Sequence, residues 1–415
     1  MVVGIDASRP NEPQKTGTEW YAYHIIQQLK KLDRSNRYVL YSYDPLRDGL
    51  EDLSGNFTSR VLRSITDILW TQLRLSLEML TSPPDVLFVP AHTIPLVHPK
   101  ATVLTVHDLG FEHFPELYKK VPIGPKGWRW ALEIGARILT FGKYGNSELD
   151  YHRWAMRFGV KHATRIIAIS EFTKRDVVKR FGANPAKIVI VGHGFDRTLY
   201  RPQIPNEPVK RQRLLNLRPY ILFVGRVEKK KNVDGLLEAY RLLRSRSSKT
   251  NKLVLIGKPG FGYEAFQDQV RHFPPAIRRD IHFLGWVAEE ETAEFYRNAE
   301  LFTFPSHFEG FGIPVIQAMA SGVPVVCSDR TSLPEIAGDA ALLVSPNDAT
   351  EIARAMQRAL EDTRLRQRLI EKGLRQAKKF SWEESARKTL QVLTEAYDAR
   401  STSSGHPERR KGVEG

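Results

Sequence analysis

The chain has 415 residues, 41% hydrophobic and 26% charged, which is enough apolar material for two large domains and excludes global disorder. No apolar run approaches the roughly 18–20 residues that span a bilayer, the N-terminal MVVGIDASRP does not read as a signal peptide, and the single Cys327 excludes a disulfide framework or a cysteine zinc cluster, so a cytoplasmic protein is expected. The formal net charge is +15, which suits nucleic acid, an anionic membrane or a phosphorylated substrate.

In the first half, short Val/Ile-rich runs at 2–6, 38–43, 85–89, 102–106, 165–169 and 187–191 read as strands, with an amphipathic helix predicted over 18–32. Such nearly continuous apolar strands, alternating with helices, imply parallel sheets covered on both faces. Gly17, in QKTGTEW between the first strand and the first helix, permits a tight turn under a phosphate. The run TVLTV ends in His107-Asp108, and a histidine at a parallel-strand end can bond a substrate hydroxyl or a developing charge. Over 119–150, Lys126, Arg129, Glu133, Arg137 and Thr140 share one helical face, with Trp128, Trp130 and several aliphatics on the rest. This pattern predicts a basic amphipathic helix suited to an anionic membrane surface, or else a helix packed on the first domain; Gly127, Gly135 and Gly142 weaken the helix. Residues 119–180 hold fourteen Lys/Arg against five Asp/Glu, so nine of the fifteen excess positive charges are local to them.

Three prolines and many charges over 195–216 read as a linker. Strands follow at 220–225, 252–257, 281–285, 300–304, 323–327 and 341–344, with helices near 232–246, 262–272, 289–298 and 314–320 and one long helix over 349–379. The strand YILFVG runs through Gly225 into Arg226 and then VEKKKN, where Asn232 is positioned to cap the next helix; Arg226, Lys231 and that helix N-terminus together suit an anion. The strand ELFTF runs into PSHFEGFGIP, where Gly310 and Gly312 flank Phe311 just before a helix with Pro314 in its first turn, and Glu309 stands at the mouth of the turn, suited to sugar hydroxyls. A last helix is predicted over 381–399, with Ser381 as N-cap and Glu384 as its capping-box partner, followed by a polar, disordered tail over 400–415. The predicted organisation is a first domain over 1–198, a linker over 199–216, a second domain over 217–380, and a C-terminal helix returning to the first domain. G-x-G-x-x-G, G-x-x-x-x-G-K-[ST] and a convincing D-x-D are all missing from the sequence.

The segments FVGRVEKKKN (223–232), LIGKPG (255–260), IHFLGWV (281–287), AELFTFPSHFEGFGIPVIQAMASGVPVV (299–326) and SDRTSLPEIAGDAALLVSPND (328–348), with VLTVHDL (103–109) and ISEFTKRDV (169–177), resemble family 4 of the retaining glycosyltransferases. The likeness is dense and ordered over most of 1–399. It implies an α/β, GT-B fold, with two doubly wound Rossmann-like domains facing each other across a cleft. It also implies hexose transfer, with retention, from a nucleotide diphosphosugar to a glycan or lipid-linked acceptor in cell-surface polysaccharide synthesis. In that family Arg226 and Lys231 would hold the diphosphate, Glu309 would contact the donor sugar, and His107 would stand near the reacting sugar. Gly17, Gly225, Gly310, Phe311 and Gly312 would approach the donor through the backbone. The family needs no cofactor and no metal. The place of the second glutamate of its E-x7-E motif is taken here by Gln317, which keeps an acceptor oxygen without the charge. A soluble transferase acting on a small sugar phosphate and a catalytically weakened GT-B-like binding protein are the alternatives. Nucleic acid is not an expected partner, because no recognition motif accompanies the charge. A peripheral position on the inner face of a membrane is the expected variant of a cytoplasmic location.

Overall fold

The computed structural model describes residues 1–53, 55–63, 70–118, 147–204, 207, 209, 211–246 and 251–403. The predicted basic helix of 119–150 falls almost wholly on 119–146 and so lies outside the described residues, as does the predicted tail from 404 on. The chain divides into two compact units: Met1–Ile169, Thr173–Val191 and Trp382–Gly415 form unit 1, and Ser170–Phe172 with Gly192–Ser381 form unit 2. The main change of unit therefore comes at 191/192, not 198/199. The predicted linker holds a helix, Gln212–Leu217, which belongs to unit 2 and buries Leu214 and Leu217.

Unit 1 is built on a parallel sheet of β1 (Val2–Asp6), β2 (Arg37–Ser42), β3 (Phe57–Val61), β4 (Val86–Val89), β5 (Ala101–Val106), β6 (Arg165–Ala168) and β7 (Ile188–Ile190), in the order β3-β2-β1-β4-β5-β6-β7. Every residue of β4 and β5 is buried, as strands covered on both faces require. Edge strand β3, FTSRV, buries only Phe57; its polar composition hides it from the hydrophobic pattern. Helix Gly17–Leu32 starts at a Thr16/Glu19 capping box and buries Tyr21, Ala22, Ile25, Ile26 and Leu29 on one stripe. Helix Trp382–Ser403 adds Trp382, Ala386, Val392, Leu393 and Ala396 to the same core, beside Val3, Ile5, Val103 and Ile167. Each fully buried Ile or Leu contributes about 1.5–3 kcal/mol, so this C-terminal helix is a structural part of unit 1.

Unit 2 is built on β8 (Tyr220–Val224), β9 (Lys252–Ile256), β10 (Ile281–Gly285), β11 (Leu301–Phe304), β12 (Val325–Ser328) and β13 (Ala341–Val344), all parallel, in the order β10-β9-β8-β11-β12-β13. The long helix predicted over 349–379 is two helices, Ala349–Glu361 and Thr363–Ala377. Asp362 has extended backbone, and its carboxylate accepts Leu365 N–H at 2.9 Å, so it ends one helix and caps the next.

Candidate functional site

In a doubly wound sheet, ligands bind outside the carboxyl ends of the strands where the order reverses. In unit 2 that point lies between β8 and β11. The two segments singled out from the sequence, 225–232 and 305–313, leave those two strand ends.

After β8 the backbone is fixed by the neighbouring loop. Gly225 N–H donates to Ile256 O at 2.9 Å, Val227 N–H to Lys258 O at 3.0 Å, and Gly260 N–H to Val227 O at 3.0 Å. Gly257 has φ +146, and a Cβ there would lie 2.0 Å from the Gly225 carbonyl oxygen, so only glycine lets the two strand ends approach this closely. Arg226 is held on this turn with its side chain 65% exposed, 3.8 Å from Glu228. Lys231 ends a 3-10 turn, Lys229–Lys231, and its Nζ reaches Glu309 Oε1 at 2.5 Å, with the two side chains only 16% and 10% exposed; it also lies 5.6 Å from the Phe304 ring centre. The fold thus joins a lysine and a glutamate 78 positions apart, while Arg226 faces solvent. Asn232 has left-handed backbone (φ 56), and its carbonyl accepts Leu236 N–H, as a helix N-cap does. Its side-chain amide donates instead to Pro305 O at 3.0 Å and Pro346 O at 2.6 Å. It ties the β8 turn to the β11 turn, a role the sequence does not reveal.

After β11, the Ser332 hydroxyl bonds the carbonyls of Glu309 and Phe311, at 2.9 and 2.8 Å, and the Ser170 hydroxyl bonds that of Gly310, at 2.7 Å. Glu309 N–H donates to Thr331 Oγ1 at 3.1 Å, and Thr331 itself has φ 59, an uncommon backbone for a β-branched residue. With these carbonyls engaged, helix Ile313–Ala320 opens at Gly312 (φ +111) with no side-chain cap. First-turn N–H groups have no intrahelical acceptor, so this end of the loop offers donors to an anion. The Phe311 ring stacks on His193 (4.8 Å, 25°) and meets Phe380 edge-on, so it serves the core and leaves any ligand contact to its backbone. Gln317, on the same helix, accepts a 3.4 Å bond from the Tyr296 hydroxyl.

In unit 1 the order reverses between β1 and β4. Asp6 ends β1 and accepts Ser8 N–H at 3.0 Å and Ser8 O–H at 2.6 Å; its burial raises its pKa. His107 follows β5, with Nε2 3.0 Å from Pro90 O. A carbonyl can only accept, so Nε2 carries the hydrogen. Burial lowers the His107 pKa, partly offset by the Pro90 bond and by Asp108 and Glu19, so the ring is neutral at neutral pH. Tyr21 meets the ring edge-on at 4.9 Å and also packs against Trp382. Gly17 is the first residue of its helix, and a Cβ there would meet nothing within 4 Å. Neither packing nor a left-handed backbone therefore demands a glycine at 17, where the Thr16/Glu19 capping box opens the helix. Arg9, His92 and His152 also belong to this end of unit 1, and sequence reasoning missed them. His92 follows β4 by three residues, so the strand-end rule that selects His107 would have found it. Among the described residues, no group of three or more His, Cys, Asp or Glu is arranged to hold a metal ion.

Two family models match the chain: Glycosyltransferase Family 4 over residues 15–199 and Glycosyl transferases group 1 over residues 206–376. The chain is 35% identical over 257 residues to O-antigen chain mannosyltransferase B of Escherichia coli, covering 61% of this chain and 66% of that protein. It is 31% identical over 290 residues to the D-inositol 3-phosphate glycosyltransferase of a Nocardioides species, covering 65% of this chain and 63% of that protein. In both, the match spans slightly less than two thirds of the relative's length. Among solved structures, sucrose-phosphate synthase from Thermosynechococcus elongatus superposes with TM-score 0.70 at 17% identity, over 96% of this chain and 100% of that one. WaaG, a glycosyltransferase involved in lipopolysaccharide biosynthesis, superposes with TM-score 0.65 at 16% identity, over 95% and 100%.

Proposed function

Because the chain belongs to glycosyltransferase family 4, with the GT-B fold, we propose that it moves a hexose from a nucleotide diphosphosugar, with retention and without a metal, to a glycan or lipid-linked acceptor in cell-surface polysaccharide synthesis. One observation carries the reading. The Lys231–Glu309 pair stands at the switch point of unit 2, between an exposed Arg226 and an uncapped helix N-terminus. Two cations and open N–H groups suit a diphosphate whose charge grows as the glycosidic bond breaks. The Glu309 carboxylate suits the hydroxyls of the sugar attached to it. Gln317 offers a neutral acceptor suited to the nucleotide ribose, and in unit 1 His107 offers a neutral ring suited to a sugar hydroxyl.

The likeness to an O-antigen mannosyltransferase favours a mannosyl donor, and the likeness to a D-inositol 3-phosphate glycosyltransferase keeps a small phosphorylated polyol or sugar as the second acceptor class. The test incubates the protein with GDP-mannose, UDP-glucose and UDP-galactose, with and without EDTA, and follows nucleoside diphosphate release and the anomeric configuration of the product. Turnover with one donor, insensitive to EDTA and with the α-configuration kept, is expected. Absence of turnover and of binding with all three donors would favour the binding-protein reading. A peripheral station on an anionic membrane belongs to the same proposal, supported by the basic excess of 119–180. Among the described residues no helix is long and apolar enough to cross a membrane. Co-sedimentation with anionic vesicles that survives deletion of 119–150 would count against that segment as the anchor.

A further inference from the structure

At the carboxyl edge of unit 1, three side chains form a line of hydrogen bonds. Glu148 Oε1 lies 3.4 Å from His152 Nε2, and His152 Nδ1 lies 2.8 Å from His92 Nε2. Their chemistry fixes the protons. An ionised carboxylate only accepts, so His152 Nε2 carries a hydrogen and, in the neutral ring, His152 Nδ1 is a lone pair. The bond between the rings must then be donated by His92 Nε2–H. The remaining nitrogen, His92 Nδ1, is left as an acceptor, and among the described residues it has no hydrogen-bonding partner.

The ring that sets this arrangement is held in place. Phe111 stacks on His152 at 5.3 Å and 20°, Tyr118 meets it edge-on at 5.9 Å, and Tyr151 packs at 5.8 Å. Glu148 and His152 lie one turn apart on helix Glu148–His162, whose N-cap is Ser147. His92 lies just past β4, at the reversal of strand order beside β1. Two neighbouring ionisable groups are already engaged. Asp6 is bonded to Ser8, and His107 donates to Pro90. His92 therefore presents an unengaged lone pair at the point where a doubly wound sheet takes its ligand.

We propose that His92 Nδ1 accepts a hydrogen bond from the nucleophilic hydroxyl of the sugar acceptor, and that His152 and Glu148 are positioning residues that keep the ring in the tautomer able to do so. The inference rests on the transferase reading for the identity of the hydroxyl, but not for the tautomer. The bond orients the hydroxyl and leaves its proton in place. The groups facing His92 are His152, Arg9 and His107; together with burial they press its pKa well below the ordinary histidine value, so the lone pair persists at neutral pH. Protonation of His92 removes it: Nδ1 then carries hydrogen and becomes a donor.

Two measurements test this in the full chain. Long-range proton–nitrogen NMR of the histidine rings should show His92 as the Nε2–H tautomer, a state lost in His152→Phe and regained in His152→Asn, whose amide oxygen restores an acceptor. Methyl glycosides of mannose, glucose and galactose, titrated at high concentration, should shift the His92 ring signals with one of them. An Nδ1–H ring in the wild type, or no shift with any of the three, overturns the proposal whether or not a donor is turned over. With the active donor, His92→Phe and His152→Phe should raise the KM for that glycoside about tenfold, the loss of one hydrogen bond. Slow donor hydrolysis by water, which has no sugar ring to position, should fall by less than transfer to the glycoside does. Equal loss in both reactions would make the cluster structural and refute the assignment. A wild-type chain that binds no sugar nucleotide, yet shows the tautomer and the glycoside shift, would sink the transferase reading alone.

Discussion

Replacing one partner of the Lys231–Glu309 pair separates what the pair does for folding from what it does for catalysis. The contact is 2.5 Å long and both side chains are nearly buried. At an effective dielectric near 20, unit charges at that distance attract by about 6–7 kcal/mol, which offsets a desolvation cost of several kcal/mol per ion. The intact pair is therefore close to neutral for stability, while a lone survivor keeps its desolvation cost. Lys231→Met and Glu309→Gln should each destabilise unit 2 by about 3–5 kcal/mol, and the double variant by only about 0–2 kcal/mol. Hydrogen exchange in β8 and in helix Val233–Arg246 reads this directly. About 3 kcal/mol corresponds to about 150-fold faster exchange in each single variant, mostly reversed in the double. Turnover should behave differently, falling by about 100-fold or more in all three, since none retains both the cation and the carboxylate. Single losses that simply add in the double variant would refute the buried-pair account. Near-normal turnover in the double variant would refute the assigned site.

Three other perturbations probe separate parts of the structure. Gly257→Ala places a methyl group 2.0 Å from the Gly225 carbonyl. It should weaken nucleoside diphosphate binding at least about tenfold by calorimetry, because the Arg226 turn must move; unchanged affinity would detach that turn from the diphosphate. Gln317→Glu turns a neutral acceptor into a charged one and should tighten the nucleotide about fivefold, the difference of about 1 kcal/mol between ordinary and charge-assisted bonds; weaker binding would show that Gln317 does not meet the ribose. The third is pH. His92 and His107 both titrate lower in the folded state, so below about pH 6.5 the unfolded chain takes up protons that the native one refuses. Stability should then fall by up to about 1.4 kcal/mol per pH unit for each ring until the native values are reached. Asp6, raised by burial, acts in the opposite direction: its contribution is present in acid and is lost as pH rises through its folded value. Trp286 is the lone tryptophan in the sequence of unit 2, so tryptophan fluorescence in urea follows mainly unit 1. Its midpoint should be lower at pH 5.5 than at pH 7, and a flat profile would contradict the burial of both rings.

The features readable from the sequence share a local cause. Apolar strands such as β5 and β11 are continuous runs, and Arg226, Lys231, Glu309 and His107 all follow such runs within a few residues. The sequence therefore marked both strand-end segments of unit 2, but not the contact that joins them, because Lys231 and Glu309 meet only through the β8–β11 adjacency. Asn232 reads as a simple cap, since its bonds to Pro305 and Pro346 cross 73 and 114 positions. Edge strand β3 has too polar a composition to register. Asp362 divides a helix that the hydrophobic pattern runs through, because capping depends on one carboxylate and leaves the apolar period intact. His92 and His152 went unmarked because each is an isolated histidine in sequence, 60 positions from the other.

The packing of Trp382–Ser403 into the core of unit 1 also sets an order of events during synthesis. Residues of the first half leave the ribosome early, yet the sheet they form lacks Trp382, Ala386, Val392, Leu393 and Ala396 until the last described segment has emerged. Unit 2, from Gly192 to Ser381, needs from outside that stretch only Ser170–Phe172, which precede it. The second-made unit is therefore the first that can close. The first-made unit waits with the apolar stripe of helix Gly17–Leu32 covered by the sheet but not by the C-terminal helix, leaving apolar surface that a chaperone could bind or a neighbouring nascent chain could mispair with. Any attempt to produce unit 1 alone has to carry 382–403 along with 1–191.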